Sequence, residues 1–310
     1  MNVLITSASR KVSLVKAFKL ALEQEGGGDV IAVDADRRSA ALYFADYHYI
    51  TPLGLGDDYL KSVLAICLKH DVNLIIPTRD EELPFFSNNR HLFLATIMIP
   101  STETIRICQD KHLFVDACKQ FNISIPKTYI NENDYAFPIF VRPRTGKGSN
   151  QTHRVDSKDE LWYVLKEIEH PIIQEFIDAA EYTVDLFSDF SGKVLSVVPR
   201  RRLVVFGGES FVGKTVKNFP VIGASITLAL ALNLIGHNTI QCFDNDGDIQ
   251  FIEVNPRYGG GASLGFAAGA PTPRYLVRLM LGRDVETEVG VFTDGLTMLR
   301  YTNDLFKETL

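Results

Sequence analysis

The stretch Ile249-Gln250-Phe251-Ile252-Glu253-Val254-Asn255-Pro256-Arg257-Tyr258-Gly259-Gly260-Gly261 carries the reading of the whole chain. A strand-like run leads into Glu253 and Asn255, two positions apart, and residues i and i+2 of a strand point to the same face. A carboxylate and an amide oxygen therefore stand side by side at a strand end. Pro256 stops the ladder because it has no N–H to donate. Arg257 adds a cation, and the three glycines allow a close backbone approach to something bulky. Hard oxygen ligands beside a cation suit a divalent metal and a polyphosphate. The plainer alternative is a strand end with a polar cap.

Upstream, Thr239-Ile240-Gln241-Cys242-Phe243 reads as a partner strand, and Asp244-Asn245-Asp246-Gly247-Asp248 as a tight hairpin turn. A turn centred on Asp246-Gly247 sets Gln241 opposite Ile252 or, with one extra loop residue, opposite Glu253. Gln241, Glu253 and Asn255 can thus converge on one face of a two-stranded ribbon. A Gln followed by Glu-x-Asn-Pro-Arg resembles the metal-binding end of ATP-grasp enzymes, most closely the synthetase (ATP-binding) domains of the carbamoyl phosphate synthetase large subunit. The resemblance implies that Gln241, Glu253 and Asn255 hold Mg2+, two ions in that family and with Mn2+ able to substitute, against the phosphates of ATP. It gives Arg257 a phosphate or a substrate carboxylate.

The 310 residues, 46% of them hydrophobic, suffice for two or three small domains with real cores. A net charge of −6 provides no global basic field for nucleic acid or an anionic membrane. No charged-then-apolar leader and no apolar run of about 20 residues is present, so neither a signal peptide nor a membrane span is expected. Cys67, Cys108, Cys118 and Cys242 are scattered and read as core thiols of a reducing cytoplasm.

Residues 1 to about 100 alternate short apolar strands (Val3-Leu4-Ile5, Val30-Ile31-Ala32-Val33, Leu74-Ile75-Ile76) with helical patterns, the rhythm of an open parallel sheet. The first turn, Thr6-Ser7-Ala8-Ser9-Arg10-Lys11, has no glycine, which speaks against dinucleotide binding in the usual manner; it either holds an anion or simply connects. Thr78-Arg79-Asp80-Glu81-Glu82 follows the third strand, where one of the two glutamates starts a helix and the other stays open to a substrate contact. A helical element is expected between Pro100 and Pro126, with Lys111 inside it. Phe137–Pro143 reads as a strand ending in Arg142, followed by a loop with Gly146, Lys147, Gly148 and Ser149 that suits a lid over polyphosphate. The helix from Pro220 to Leu234 should be buried and end at Gly236. In Pro199-Arg200-Arg201-Arg202, alternation along a strand sends at least one arginine away from the rest. This run is either a charged edge or a cleft cation set beside the Gly207–Lys214 stretch.

The resemblance implies further roles. Lys111, Arg142, Lys147, Gly148 and Ser149 would contact phosphates. The backbone around Gln174, Glu175, Phe176 and Ile177 would read adenine, and Glu181 the ribose. Arg200, Arg202, Lys214 and Arg257 would stabilise the transferred charge. The implied fold is α/β: a pre-ATP-grasp open parallel sheet domain over 1–100, then a two-lobed α+β ATP-grasp fold over 101–310, with a lid at about 127–175 and a base at 176–310. The implied chemistry is an ATP-dependent ligase that activates a carboxylate as an acyl phosphate for an amine or other nucleophile, acting in the cytoplasm on small molecules. A homodimer is a reasonable assembly. The chain has length for one synthetase unit and no amidotransferase. A subunit of a split carbamoyl phosphate synthetase, a nucleotide-binding regulator and, disfavoured by the first turn, a dinucleotide-binding oxidoreductase are the alternatives.

Overall fold

The structure, a computed structural model, describes residues 1–146 and 151–309. Its first sheet contains β1 (Asn2–Ile5), β2 (Val30–Asp34), β3 (Tyr47–Ile50), β4 (Val72–Ile76) and β5 (Thr96–Ile97), all parallel in the order β3-β2-β1-β4-β5. Val3, Leu4 and Ile5 are fully buried, as parallel strands covered on both faces must be. The helices α1 (Val12–Glu25), α2 (Asp57–Lys69) and α3 (Glu82–Asn89) supply that cover. The strand order turns back at β1, so the loops after β1 and β4 flank the crevice where such sheets receive ligands. Two strands of this sheet carry too little apolar alternation to be read from sequence: β3 is a largely exposed edge and β5 has two residues.

Between Pro100 and Pro126 the chain makes two helices, α4 (Thr102–Gln109) and α5 (Lys111–Gln120), rather than one. Asp110 is extended and its carboxylate accepts the amides of His112 and Leu113, an N-cap that forces a fresh start. A three-stranded sheet follows, formed by β6 (Ile139–Pro143), β7 (His153–Val155) and β8 (Pro171–Glu175) in the order β7-β6-β8. It packs on α6 (Lys158–Glu167) around its own small core.

The third and largest sheet is antiparallel. It comprises β9 (Ala180–Ser188), β10 (Val194–Phe206), β11 (Glu209–Thr215), β12 (Gly236–Asn245), β13 (Asp248–Asn255) and β14 (Thr297–Leu299), in the order β13-β12-β9-β10-β11-β14. One face, with Tyr182, Val184, Ile240, Cys242 and Val254, packs under α7 (Phe219–Ala231). The other carries the polar residues of the next subsection. Phe187, Leu195 and Tyr258 share one core with Phe18 and Met98 of the first unit and with α9 (Thr272–Met280), which follows α8 (Ala262–Ala267). Glu25 at the end of α1 reinforces this junction by accepting from Arg274, Arg278 and Arg283. Those arginines, above all Arg274, hold its carboxyl down at about 2 despite burial.

α7 stops three residues before the expected end, and its Leu230 is exposed rather than buried. Gly236 opens β12 instead of capping the helix, at φ 67, where a Cβ would lie 2.4 Å from Met98 Cε. The cysteines are free, Cys118 and Cys242 fully buried, and burial pushes the thiols of both up to about 12. Among the described residues, no helix is long and apolar enough to cross a membrane.

Candidate functional site

The hairpin β12–β13 turns on Asp246-Gly247, both at positive φ, with Asn245 paired to Asp248. An unbroken two-residue hairpin would set Gln241 opposite Ile252 and turn Glu253 towards the core. Instead Cys242 pairs with Phe251 and Gln241 with Glu253, so Ile252 is an extra residue, a β-bulge. The extra residue sits in the strand and not in the loop. It resets the alternation, leaving Phe251 and Val254 in the core while Glu253 and Asn255 join Gln241 on the opposite face.

Neighbouring strands complete that face. Gln241 Nε2 donates to Glu181 Oε1 at 2.9 Å, and Asn255 Nδ2 donates to Glu253 Oε1 at 3.1 Å. Arg202 Nη1 also pairs with Glu181, and its Nη2 donates to the Gly208 carbonyl at 2.9 Å. The alternation that brings Arg200 and Arg202 here sends Arg201 the other way, over the Tyr182 ring. Lys214 pairs in register with Arg201, not with Arg200 or Arg202, so its ladder position sets it on the face away from Glu253. The structure does not bring it to the site.

Arg200 is on the right face but sealed. Its Nε and Nη2 donate to Asp185 at 2.7 and 2.8 Å, and the two side chains are 2% and 3% exposed. Burial pushes the Asp185 carboxyl up, but Arg200 and His237 outweigh it and hold it below the usual range. Of the glycines expected to approach a ligand, Gly261 approaches this pair instead, as Gly265 does, while Gly259 approaches Thr239. A Cβ on Gly261 would lie 2.5 Å from Arg200 Nη1, one on Gly265 2.9 Å from Asp185 Oδ2, and one on Gly259 2.6 Å from Thr239 Oγ1.

Across from the hairpin, Arg142 and Lys111 are buried. Arg142 Nε donates to Gln174 Oε1 at 3.1 Å, and its Nη2 donates at 3.2 Å to the carbonyl of the bulged Ile252. The bulge thereby gives the three-stranded sheet a handle on the large one. Burial and the nearby Arg142 lower the Lys111 ammonium, while Glu253 pulls it back up. Two cations and one carboxylate face each other without a direct ion pair, an arrangement suited to polyanions. Lys147, Gly148 and Ser149 lie outside the described residues.

The expected adenine-reading backbone is partly engaged already. The Glu175 amide donates to the Lys127 carbonyl at 2.9 Å and that of Phe176 to the Pro138 carbonyl at 3.4 Å. Gln174 is buried and Arg154 lies over the Phe176 ring. Ile177 lies in the connection between β8 and β9.

Arg257 turns towards the first unit, where its Nε and Nη2 donate to Asp80 at 2.7 and 2.6 Å. Asp80 went unremarked in the sequence because nothing local marks the partner of a residue 177 positions away. Glu82 is the helix-starting glutamate, buried and accepting from Ser7, Tyr59 and the Thr78 amide. The C-terminal segment adds β14 and Arg300, which pairs with Glu209 and donates to the Gly260 carbonyl at 2.6 Å.

One carboxylate and two carboxamides are too little charge to retain a free divalent ion, and among the described residues no group of three or more His, Cys, Asp and Glu side chains could hold one. Such a set fits Mg2+ that arrives with phosphate oxygens, because Mg2+ binds through few carboxylates plus substrate phosphates.

A family model described as "PylC-like, N-terminal domain" matches residues 3–99, and one described as "ATP-grasp in the biosynthetic pathway with Ter operon" matches residues 167–303. The carbamoyl phosphate synthase large chain of Thermoanaerobacter sp. (strain X514) is 28% identical over 224 residues, 64% of this chain but 21% of that protein. The biotin carboxylase domain of the Hydrogenobacter thermophilus 2-oxoglutarate carboxylase, solved with MgADP and bicarbonate, superimposes at a TM-score of 0.78 and 14% identity, covering 95% of this chain and 73% of that one. The L-amino acid ligase of Bacillus licheniformis does so at 0.73 and 19%, covering 96% and 78%. These likenesses in structure concern the fold.

Proposed function

Because this chain belongs to the ATP-grasp superfamily, with carbamoyl phosphate synthase large chains among its relatives, we propose that it is a Mg2+-dependent ligase that activates a carboxylate as an acyl phosphate and passes it to an amine or thiol. The observation that carries this reading is the bulge-set register that places Gln241, Glu253 and Asn255 on one face, opposite Arg142 and Lys111. Glu253 with the two amide oxygens would hold Mg2+, and Lys111 and Arg142 would take the phosphates. Bound Mg2+ would stabilise charge on the transferred phosphoryl group. Glu181, between Gln241 and Arg202, would orient the ribose and tie the cofactor end of the face to the cation end. The rest is positioning: no side chain is required as a covalent nucleophile. In this reading the three-stranded sheet is the lid and the six-stranded sheet the base.

Since the chain spans 21% of the length of the Thermoanaerobacter relative, the activity of that whole protein is not carried over. The test is calorimetric titration of a non-hydrolysable ATP analogue, with and without Mg2+, into the wild type and Glu253→Gln. Magnesium-dependent binding that weakens about tenfold or more in the variant, over about 1.4 kcal/mol, is the expected result. Binding indifferent to both metal and substitution would leave a nucleotide-binding regulator and remove the ligase reading.

A further inference from the structure

The crevice of the first sheet, between the loops after β1 and β4, holds a cluster of charges that the nucleotide reading does not use. Its acids are satisfied. Glu82 accepts from the Ser7 and Tyr59 hydroxyls and the Thr78 amide. Asp34 accepts the amides of Ser9 and Asp36, and Asp80 takes Arg257 at two points. The loop after β1 is fixed in place, with Thr78 Oγ1 donating to the Thr6 and Ser7 carbonyls, and Ser7 and Ser9 held at φ 45 and 48.

Lys11 is the group left over. Among the described residues its ammonium has one hydrogen-bond partner, the Ser7 carbonyl at 3.3 Å, and no carboxylate within 4.0 Å. It is half-buried, and Arg257 and Arg79 stand near enough to oppose its charge. Burial first, then Arg257, with Arg79 adding to them against the pull of Glu82 and Asp34, lowers it to about 8. A desolvated ammonium with donors to spare is costly unless an anion completes it. Arg79 reaches Glu81 at 3.4 Å and keeps an exposed guanidinium at the mouth of the same crevice. Arg257, two residues past the end of the strand that carries Glu253 and Asn255, donates both to Asp80 and, at 3.4 Å, to Asn255 Oδ1, which ties the crevice to the proposed metal face.

We propose that the crevice binds an anionic group of the acceptor substrate, a carboxylate or a phosphate, between Lys11 and Arg79, and so selects acceptors that carry a second negative charge. The word acceptor rests on the ligase reading; the anion site stands on its own geometry.

The probe is inorganic phosphate, titrated calorimetrically at pH 7 into the full chain alone and after saturation with the non-hydrolysable ATP analogue and Mg2+, which fills the nucleotide phosphate positions. Phosphate should bind in both states. Lys11→Met and Arg79→Met should each weaken it about tenfold, as for loss of one charge-assisted hydrogen bond, with Lys11→Arg near wild type. Failure of phosphate to bind the saturated protein overturns the proposal. So does wild-type phosphate affinity in the Lys11→Met and Arg79→Met variants at unchanged melting temperature. If the analogue fails to bind while phosphate binding still depends on Lys11 and Arg79, the anion site stands and the ligase reading falls.

Discussion

Two arginine–carboxylate pairs of this protein share one bidentate geometry and differ in almost everything else. Arg200 and Asp185 lie fifteen residues apart on adjacent strands, 2% and 3% exposed, under the backbone of Gly261 and Gly265. Arg257 and Asp80 lie 177 residues apart, 18% and 20% exposed, and join the end of β13 to the loop after β4. The first pair is sealed, and among the described residues its charges meet each other and His237. The second sits where two sheets meet over a crevice, and a ligand can reach it. Surroundings, not the residue pair, decide which arginine is available for chemistry.

Breaking the sealed pair should cost most. Arg200→Met leaves Asp185 as an uncompensated buried charge, and removal of one partner of such a pair costs about 3–5 kcal/mol. Urea unfolding would read it, and a near-wild-type midpoint would show that the pair is not sealed after all. Gly261→Ala drives a methyl group into Arg200 without removing a charge, so overpacking of about 1–3 kcal/mol is expected. Arg257→Ala breaks the partly exposed pair and should destabilise by about 1 kcal/mol or less. Its main expected effect is a higher KM for the acceptor at unchanged nucleotide affinity. A loss of nucleotide binding instead would move Arg257 from the crevice to the phosphates. The last effect concerns Lys11 and shows itself only through pH. Burial, and after it the nearby Arg257, push its ammonium down to about 8 in the fold, below the ordinary lysine value of about 10.4. The unfolded chain therefore binds more protons between those values, and stability should rise with pH across that window. Melting temperatures from pH 7.5 to 10.5 would show the rise in the wild type and a flatter profile in Lys11→Met.

The first sheet was legible because β1, β2 and β4 are short runs of buried aliphatic residues separated by helical spacing. The metal face was legible as far as its letters: Gln241, Glu253 and Asn255 were named from a hairpin and a resemblance. Their register was not, because a bulge leaves no mark in residue type and the two registers differ by one position. The alternation of Arg200, Arg201 and Arg202 was visible, whereas the burial of Arg200 depends on Asp185 and on glycines some sixty residues further on, contacts that only the assembled sheet supplies. Lys214 was placed by its Gly-rich neighbourhood, and the ladder with β10 overrules that. The turn that ends at Lys11 was legible as an anion holder or a plain connection, but nothing local marked Lys11 itself. Its distinction is the absence of a counter-ion, which no single stretch of sequence displays.

The hydrogen bond from Arg142 to Ile252 ends on a main-chain oxygen, and that oxygen is there whichever residue occupies position 252. Replacing Ile252 with alanine, valine or leucine leaves the acceptor in place. A scan of side chains would accordingly score the position as dispensable. Shortening the strand by one residue would restore an even ladder, keep Glu253 opposite Gln241, and remove the anchor for Arg142. At this point the polypeptide stores its information as a count of peptide units, and a library of substitutions, however complete, is blind to it.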